Sequence, residues 1–464
     1  MLERPVLGRN NIEIDRKINR ELLGSLFGMP SRFWMTVLFL GLVFATGMGA
    51  AGYMVNRGIG VSGLNRPGMW GFMLVNFVFW VGISHAGIML SAILRLAQAE
   101  WRRPATRAAE VLTIFSLMNA LMFPIFHTGR PWRTLYWEFP FDFARGIWPQ
   151  VRSPLVWDPA AIVTYLTSTI LFVFVALLPD FAAARDRTTG LRRMIYGVLS
   201  LGWRGYPKQW KLQIVAGFLL SALILPVFVS VHSIVSWDFA VAASVEGWHS
   251  TVFAPYFVIG AVWSGVGAVV TAMIFLRYVF HWENYIRRDH IDSLGRLLMV
   301  VGLGWGFFTA LELLFSLYGL HTGEIALRKM QWFDPPFSWL FLLFAVSGFF
   351  FPVPMLMFRG IRRSFWWMTW VTISINIGMW LERFLIIIPG LARKQELPFS
   401  WATYHPSIIE ILMVIGSFAF VGMMVLLFSR FVPLIPVYDI KEGERLRAEI
   451  KIGKRIIPAV LREE

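Results

Sequence analysis

The stretch ALMFPIFHTGRPW, residues 120–132, passes from apolar to polar within a few positions. Its first half, through Phe126, is typical of the last turns of a membrane-spanning helix, because side chains buried in lipid are apolar. Its second half begins with His127, and the imidazole of a free histidine titrates near neutral pH; it also contains the guanidinium of Arg130. The stretch therefore predicts a helix that ends where the chain leaves the lipid, with titratable groups at that boundary.

The rest of the chain has the same apolar character. Of its 464 residues, 57% are hydrophobic and 16% aromatic, whereas only 15% are charged, a composition far from that of soluble domains. It contains no cysteine, so the chain itself supplies no disulfide, no thiolate-bound zinc or iron–sulfur cluster and no covalently attached c-type haem. The formal charge of +15 is spread between apolar runs, which favours membrane topology over nucleic-acid binding.

Runs of about 20 apolar residues, the length that crosses the hydrocarbon core of a bilayer, recur along the sequence. Ten spans are predicted, at about 33–55, 70–97, 108–127, 159–180, 212–235, 252–280, 296–318, 337–358, 365–388 and 407–432. The predicted fold class is all-α, a polytopic transmembrane helical protein. Spans two to five and six to nine are expected to form two four-helix bundles, with spans one and ten as flanking helices. The predicted divisions are an N-terminal arm at 1–32, a membrane domain at 33–432 with an outer loop at 128–158, and a C-terminal tail at 433–464.

The direction of the chain follows from its cationic residues. An even number of spans puts both termini on one side of the membrane. The terminal segments and the connections after even-numbered spans hold 28 of the 43 Lys and Arg residues, and the connections after odd-numbered spans hold 10. The connection VSWDFAVAASVEGWHS, residues 235–250, has none. Because positive residues are retained on the cytoplasmic side, both termini are expected to be cytoplasmic and this connection to lie outside.

Titratable groups are predicted at the outer ends of four consecutive spans. These groups are His127, Asp158, Asp238 and His249. Two imidazoles and two carboxylates at one depth make pairs of acid and base suited to proton transfer near neutral pH. Arg130 and Arg133 follow His127 closely and can neutralise a carboxylate. The alternative is that each is an ordinary group at a wet helix end, and Asp158 before Pro159 is a credible N-cap.

A second set of ionisable groups is predicted inside the membrane. It comprises His85, Glu312, Glu382, Arg383 and Glu410. Such residues are costly in lipid and mark either a proton route or polar contacts that fix how helices pack, and both alternatives stay open at this point. Glu382 and Arg383 are neighbours in sequence and point about 100° apart on a helix, so they need not pair with each other. Glu312 or Glu410 could then compensate Arg383.

Four sequence runs carry a resemblance to a known family. They are HTGRPW at 127–132, GIWPQVRSPLVWD at 146–158, WDFAVAASVEGWHSTVFAPYFVIGA at 237–261 and NIGMWLERFLIIIP at 376–389. These runs resemble the NrfD/PsrC family of membrane subunits that interact with quinones, and most closely its ten-helix branch, the ActC subunits of alternative complex III. The sister subunit ActF shares the fold and is the alternative within that complex.

The resemblance implies a respiratory function. It implies an integral subunit of the bacterial inner membrane that oxidises a quinol, such as menaquinol, at the outer face and passes electrons to an iron–sulfur subunit like ActB. The other implied partners are a multihaem cytochrome like ActA and membrane subunits like ActD, ActE and ActF. The aromatic loop 128–158 is the expected docking surface for the iron–sulfur partner. No haem, iron–sulfur cluster or other metal is expected in this chain, and proton translocation is a further hypothesis.

The resemblance also assigns roles to individual residues. His127 and Asp158 would contact the quinol head group, and Asp238 and His249 would complete the pocket. Oxidation of a quinol releases two protons, and each hydroxyl needs a base within hydrogen-bond reach. His127 is the expected acceptor of one proton and Asp158 or Asp238 of the other. Arg130 would hold the loop or bias the carboxylates towards ionisation.

Other functions compete with this one. A membrane anchor of a molybdopterin enzyme such as polysulfide reductase would keep the pocket and change the partner, and ten spans instead of eight argue against it. A secondary transporter would place polar groups at broken helices near the midplane, whereas most charges here lie in the outer half. A b-type cytochrome needs facing imidazoles at one depth. His85 and His232 are the best pair in the sequence, and the lack of a second pair argues against haem.

Overall fold

The computed structural model describes most of the chain. Its backbone is described at residues 9–66, 68–133, 146, 148, 154–237, 240, 245–248, 250, 252–392, 402–452 and 455–460. Within those ranges, the residues described by their backbone alone are 9–15, 100, 133, 154–156, 158–159, 444–452 and 455–460. Asp238 and His249 therefore lie outside the described residues, as does most of the predicted outer loop, and the side chains of Arg133 and Asp158 lie outside the description as well.

Ten helices in the described part of the chain are long and apolar enough to cross a membrane. Spans one to ten are, in order, Ser31–Arg57, Phe72–Leu96, Thr106–His127, Pro154–Arg185, Pro207–Trp237, Phe253–Val279, Arg288–Tyr318, Phe337–Met357, Phe365–Ala392 and Ile408–Phe428. The predicted all-α transmembrane fold class is confirmed. Span four begins at Pro154, a few residues earlier than predicted, because proline is well suited to the first turn of a helix. Asp158 consequently lies inside the helix.

Shorter elements lie at the ends of the spans. On the side that holds the chain termini, called the terminal side, they are the helices Arg9–Phe27, Gly190–Leu199, Arg359–Arg362 and Val437–Leu446 and the 3-10 turn Glu100–Arg102. On the opposite side, called the His127 side, they are the helix Thr322–Phe333 and the 3-10 turns Ile59–Val61 and Pro131–Arg133. The C-terminal tail continues from its helix into an antiparallel hairpin of Arg447–Ile452 and Arg455–Val460, with Arg447 opposite Val460.

The spans pack as the two predicted four-helix bundles. In the first bundle, span two contacts spans three and five, and span four contacts spans three and five. In the second bundle, span six contacts spans seven and nine, and span eight contacts spans seven and nine. Spans one and ten pack against each other, and span ten also contacts spans two and three. Span six joins the bundles through span two, so these two helices lie at the centre of the protein and are the most buried spans described.

Glycines set the closest approach of two spans in the second bundle. A Cβ built on Gly378 of span nine would lie 2.4 Å from the backbone of Gly348, in the π-helical segment Val346–Phe350 of span eight. The two backbones meet because both residues are glycine. Trp263 of span six donates a hydrogen bond of 3.1 Å to the Gly348 carbonyl. A π turn frees carbonyls from the regular helical ladder, so this interruption fixes span eight to spans six and nine.

Replacing Gly378 by alanine should lower the free energy of unfolding by about 1–3 kcal/mol, because the added methyl group must push spans eight and nine apart. Gly49 in span one is the matched control, since a Cβ there would meet nothing within 4 Å. Alanine at Gly49 should be neutral or slightly stabilising. Thermal unfolding of the detergent-purified chain measures both variants. Equal melting temperatures for the two would contradict this packing.

Candidate functional site

The end of span three places an imidazole at the boundary of the membrane. Pro124 lies inside the last turns of the helix, which stops at His127. Gly129 has a φ of 69°, a left-handed conformation that favours glycine, and turns the chain out of the helix. His127 is half-buried, and its buried Nδ1 has no hydrogen-bond partner in the described part of the chain. Because buried polar atoms normally have partners, this atom is a candidate contact for a ligand that carries a hydroxyl group. Arg130 lies exposed just beyond it.

For Asp158, Asp238 and His249, the other three predicted outer groups, the structure describes neighbouring residues but not the side chains themselves. Asp158 lies in the first turns of span four, which begins on the His127 side, and Asp238 and His249 lie outside the described residues. The residue before His249 is Trp248, which is buried and donates a hydrogen bond of 2.8 Å to the Ile386 carbonyl of span nine. The turn beside His249 is therefore fixed to the second bundle on the His127 side. The meeting of all four groups in one pocket stays a prediction.

Two buried histidines meet at the centre of the first bundle. His85 of span two and His232 of span five are fully buried, with ring centroids 4.6 Å apart and ring planes at 64°. His85 is also stacked on Tyr165 of span four, at 4.6 Å and 14°. His85 Nδ1 lies 2.5 Å from the Val81 carbonyl, and His232 Nε2 lies 3.0 Å from the Phe257 carbonyl. A carbonyl oxygen can only accept a hydrogen bond, so these two nitrogens act as donors, and in a neutral ring the other nitrogen is left as an acceptor.

The contact between the two rings bears on the haem alternative. Axial imidazoles bind haem iron from opposite faces, with each nitrogen about 2 Å from the metal. The porphyrin plane must fit between the two rings, whereas His85 and His232 touch edge to face. His85 Nε2 and His232 Nδ1 have no hydrogen-bond partner among the residues described. The pair is thus arranged as two adjacent proton acceptors inside the membrane and does not fit the geometry of haem ligands.

Glu382 is the buried carboxylate at the centre of the second bundle. It accepts a hydrogen bond from Tyr256 of span six and another, of 2.9 Å, from Trp305 Nε1 of span seven. It also forms an ion pair with Arg383, and both of these side chains are 2% exposed. Three spans therefore converge on one carboxylate, so the group both ties the helices together and holds a charge at this depth.

The expected partner of Arg383 was wrong. Neither Glu312 nor Glu410 compensates it, because Arg383 pairs with Glu382, its neighbour in sequence. Helix geometry separates the two Cβ directions, but the long guanidinium side chain bends back around the same turn. The Arg383 guanidinium also lies 4.5 Å from the centroid of the Phe257 ring, a cation–π contact. The carbonyl of the same phenylalanine accepts from His232, so Phe257 joins the centres of the two bundles.

Glu312 pairs with an arginine that was not predicted from the sequence. Its carboxylate lies 3.5 Å from Arg328 of the helix Thr322–Phe333 and accepts a hydrogen bond from Ser250. Arg328 also donates to Ser316 at 3.1 Å. Burial lowers the pKa of the Arg328 guanidinium from its ordinary value, and the Glu312 carboxylate opposes this shift. The sequence signal was weak because Arg328 lies in a connection, where arginine is common, and not in an apolar run.

A small cavity lies between Glu312 and Glu382. It has a volume of about 60 Å³, and its polar lining residues are Tyr256, Thr309, Glu312, Arg328, Gln331 and Glu382. A water molecule needs roughly 10–15 Å³ of such volume and two to four polar partners, so the cavity has room for a few waters. The two carboxylates are therefore linked by a space that water can fill.

Glu410 has a different environment. It is fully buried in the first turn of span ten and accepts hydrogen bonds from the backbone N–H of Gly63 at 2.8 Å and of Ser407 at 3.1 Å, and from the Tyr404 hydroxyl at 2.8 Å. The Ser407 side chain accepts from the Glu410 backbone in return, which completes a capping box. Burial, together with the adjacent carboxylate, raises the pKa of the Tyr404 phenol. These contacts tie the connection between spans one and two to span ten and favour a structural role. The proton-relay role expected for Glu410 from the sequence gains no support from these contacts.

A further charged cluster, not predicted from the sequence, lies at the terminal side of the first bundle. Arg107 pairs with Asp180 at 3.0 Å and with Glu110 at 3.3 Å, and these three side chains are at most 4% exposed. Arg95 lies 3.7 Å from Glu110, which also accepts a 2.6 Å hydrogen bond from Ser91. A cavity of about 420 Å³ opens beside the cluster, and the C-terminal helix forms part of its wall. The overlooked signal is the three-residue spacing of Arg107 and Glu110, which puts both on one helix face.

Replacing Arg328 by methionine should lower the free energy of unfolding by about 3–5 kcal/mol, because the buried Glu312 carboxylate would lose the Arg328 guanidinium. The double variant Glu312→Gln/Arg328→Met should recover much of that loss, since it removes both charges of the pair. Lys329→Met, an exposed position on the same helix, should resemble the wild type. Thermal unfolding in detergent compares the three. A double variant no more stable than Arg328→Met would refute the pairing.

Comparison with known proteins places these sites in context. The sequence profile of the family described as "Polysulphide reductase, NrfD" matches residues 60–394. The match runs from the connection after span one to the end of span nine. The matched region includes His127 and the buried His85 and His232. It also includes the ion pairs of Glu312 with Arg328 and of Glu382 with Arg383.

Curated relatives are similar over nearly the full chain. A Halobacterium salinarum protein, named as a putative membrane subunit of dimethyl sulfoxide reductase, is 25% identical over 443 residues, 90% of this chain and 95% of its own length. A selenate reductase subunit of Mesobacillus selenatarsenatis is 23% identical over 431 residues, 89% of this chain and 95% of its own. The Hdr-like menaquinol oxidoreductase integral membrane subunit of Archaeoglobus fulgidus is 22% identical over 441 residues, 89% of this chain and 97% of its own.

Proposed function

Because this chain belongs to the polysulphide reductase NrfD family, we propose that it is the quinol-oxidising membrane subunit of a respiratory oxidoreductase complex. The resemblance seen in the sequence is confirmed at the level of the family. The names of the relatives support the proposal. A menaquinol oxidoreductase takes electrons from a quinol, and a membrane subunit that feeds a reductase also needs a lipid-soluble electron donor. The proposed substrate is accordingly a quinol such as menaquinol.

The observation that carries the proposal is the unpartnered Nδ1 of His127 at the end of span three. A quinol has a long apolar tail and a ring with two hydroxyl groups, so its head group lies where apolar spans meet a polar connection. A hydroxyl placed against His127 would donate a hydrogen bond to the free nitrogen. When the ring is oxidised, the proton moves along that bond.

The proposed chemistry requires two proton acceptors and one electron acceptor. Oxidation of the quinol to the quinone releases two electrons and two protons. His127 takes one proton and Asp158 or Asp238 takes the other, while His249 completes the pocket and Arg130 biases the carboxylates towards ionisation. Because His127 is half-buried at the end of its span, its proton has a short path to the solvent on that side. The electrons pass to an iron–sulfur subunit bound at the same face.

Within the family, we assign the chain to the ActC position of alternative complex III. The runs HTGRPW, SPLVWD and GWHS support this assignment. The proposed partners are an iron–sulfur subunit like ActB, a multihaem cytochrome like ActA and membrane subunits like ActD, ActE and ActF, in the bacterial inner membrane with both termini cytoplasmic. The exposed Trp132 and Trp148 of the loop after span three support docking of the iron–sulfur subunit there.

The anchor of a reductase is the second candidate. Relatives with the names of dimethyl sulfoxide and selenate reductase subunits match over 95% of their length, so the number of spans does not argue against it. The composition of the complex purified through a tag on this chain distinguishes the two. A multihaem cytochrome beside an iron–sulfur subunit supports alternative complex III, whereas a molybdopterin subunit without a multihaem cytochrome supports the reductase.

His127→Ala and Asp158→Asn should each reduce quinol-dependent reduction of the partner subunit at least 100-fold, because each removes a proton acceptor from the reacting hydroxyl groups. The assembled complex should be retained, since neither change alters the apolar surface of the spans. His321→Ala, an exposed histidine on the same side, should keep full activity. Stopped-flow reduction of the partner by a short-chain quinol measures the rate. Wild-type turnover in either variant would remove the proposed roles.

A second function, proton translocation, is favoured by a line of polar groups across both bundles. From the terminal side the line consists of the Arg107–Glu110–Asp180 cluster, Thr113, Tyr165, the His85–His232 pair, Arg383, Glu382, the 60 Å³ cavity and Glu312. Thr113 and Tyr165 both donate to the Ser84 carbonyl, at 2.8 and 3.0 Å, between the cluster and His85. Polar groups at such depths are costly, so a series of them that crosses both bundles supports a proton route. The proposed route runs without Glu410.

Glu382→Gln should lower the number of protons moved per electron pair and leave quinol binding intact, because the amide keeps the shape of the site but cannot carry the charge. Glu410→Gln is the matched control, a buried carboxylate whose contacts are structural, and should keep the wild-type proton yield. Proton release by the complex in vesicles, measured with a pH-sensitive dye during quinol oxidation, reports both. An unchanged yield in Glu382→Gln would favour a purely structural role for Glu382.

A further inference from the structure

The connection between spans four and five carries an apolar helix face that no described part of the chain covers. The helix Gly190–Leu199 lies on the terminal side, between Arg185 at the end of span four and Pro207 at the start of span five. Its exposed apolar residues are Leu191 at 67%, Met194 at 62%, Ile195 at 46% and Val198 at 70%. Intervals of three and four residues place them in one stripe along the helix. Leu201, 68% exposed, extends the stripe beyond the helix end.

The opposite face of this helix is attached to the protein. Tyr196 is buried, and its hydroxyl donates a hydrogen bond of 2.9 Å to the Phe431 carbonyl after span ten. Arg192 donates one of 3.1 Å to the Leu26 carbonyl of the N-terminal helix. The orientation of the helix is therefore set by specific contacts, and the apolar stripe points away from the protein.

The surroundings of the stripe are strongly cationic. Exposed basic residues of this connection are Arg187, Arg192, Arg193, Arg204, Lys208 and Lys211. Between residues 186 and 211 the single acidic residue is Asp186, which pairs with Arg185 at 2.9 Å. The positive charge of the segment is therefore not neutralised by acids within it, and it is complementary to an anionic surface.

The position of the stripe indicates what covers it. The two ends of this connection lead into membrane spans four and five, and span five exposes apolar side chains such as Ile214 and Leu219. A helix at this depth meets lipid head groups on one side and the first part of the acyl chains on the other. An apolar face bordered by cations is typical of helices that lie in this layer, and acidic phospholipids supply the missing negative charge.

We propose that the helix Gly190–Leu199 is an interfacial helix that binds anionic phospholipids of the leaflet on the terminal side. Leu191, Met194 and Val198 contact the acyl chains, and Arg187, Arg193 and the other exposed cations contact the phosphates. The apolar stripe and the excess of positive charge are separate observations that lead to the same ligand. This binding is independent of quinol oxidation and holds the ends of spans four and five at the depth of the head groups.

The absence of cysteine in the chain makes a direct test simple, since one introduced thiol reports one position. Met194→Cys, labelled with a small fluorophore, is reconstituted as the full chain into vesicles of phosphatidylcholine and phosphatidylglycerol. Two preparations are compared: one contains brominated phosphatidylglycerol and the other contains brominated phosphatidylcholine. The brominated lipid has the same mole fraction in both. We expect both brominated lipids to quench the label, and brominated phosphatidylglycerol to quench at least twofold more. Leu219→Cys, on the lipid-facing surface of span five, should show no such preference.

Removal of the exposed cations tests the proposed contact with the lipid phosphates. In the Met194→Cys background, the triple substitution Arg187→Gln/Arg193→Gln/Arg204→Gln should make the quenching by the two brominated lipids equal. High salt should also reduce the difference in quenching, because it screens the charges. Equal quenching by both lipids in the parent variant would overturn the proposal and mean ordinary lipid contact. A label that neither lipid quenches would also overturn it, because a protein surface, such as a second copy of the chain, would then cover the stripe.

Discussion

The cost of placing a charged side chain in lipid governs the arrangement of this protein. Each bundle has a buried ion pair near the terminal side, between Arg107 and Asp180 in the first and between Arg362 and Asp292 in the second. The second bundle has a deeper pair, Glu382 with Arg383. Each of these groups is tolerated because its counter-charge lies close by, on another helix for the first two pairs and on the same helix for Glu382 and Arg383. The pairs between helices help to determine which helix faces meet.

The same contacts make it difficult to assign a buried polar residue to structure or to function alone. Glu410 and Glu382 are both buried carboxylates that accept hydrogen bonds from several donors. The donors to Glu410 are a tyrosine and two backbone amides, which together fix a connection to a helix end. Glu382 instead borders a cavity that water can enter and that leads to Glu312. Access to water is the physical difference that favours a proton-carrying role for one and an anchoring role for the other.

The candidate quinol site depends on a different property, the transition from lipid to water at the end of span three. His127 lies where an apolar substrate can approach from the lipid and a proton can depart into water. The relatives bear the names of complexes with different reactions, although each matches about nine-tenths of this chain. A membrane subunit of common architecture, joined to different partner subunits, would account for this pattern in the proposed function. In that proposal, the aromatic connection after His127 would meet the partner.

The amino-acid sequence alone determined the fold class, the number and order of the spans, and the position of His127 at a helix end. This was possible because lipid offers no hydrogen bonds to a backbone, so each long apolar run must form a helix. The side-chain pairings were decided only by tertiary structure. Arg383 pairs with Glu382 and Arg328 with Glu312, and neither pairing follows from the sequence. The sequence singles out His85 and His232 as a pair, but only the structure shows that their rings touch edge to face. A span that is apolar on all sides carries little information about its rotation around its own axis, and that rotation decides which polar groups meet.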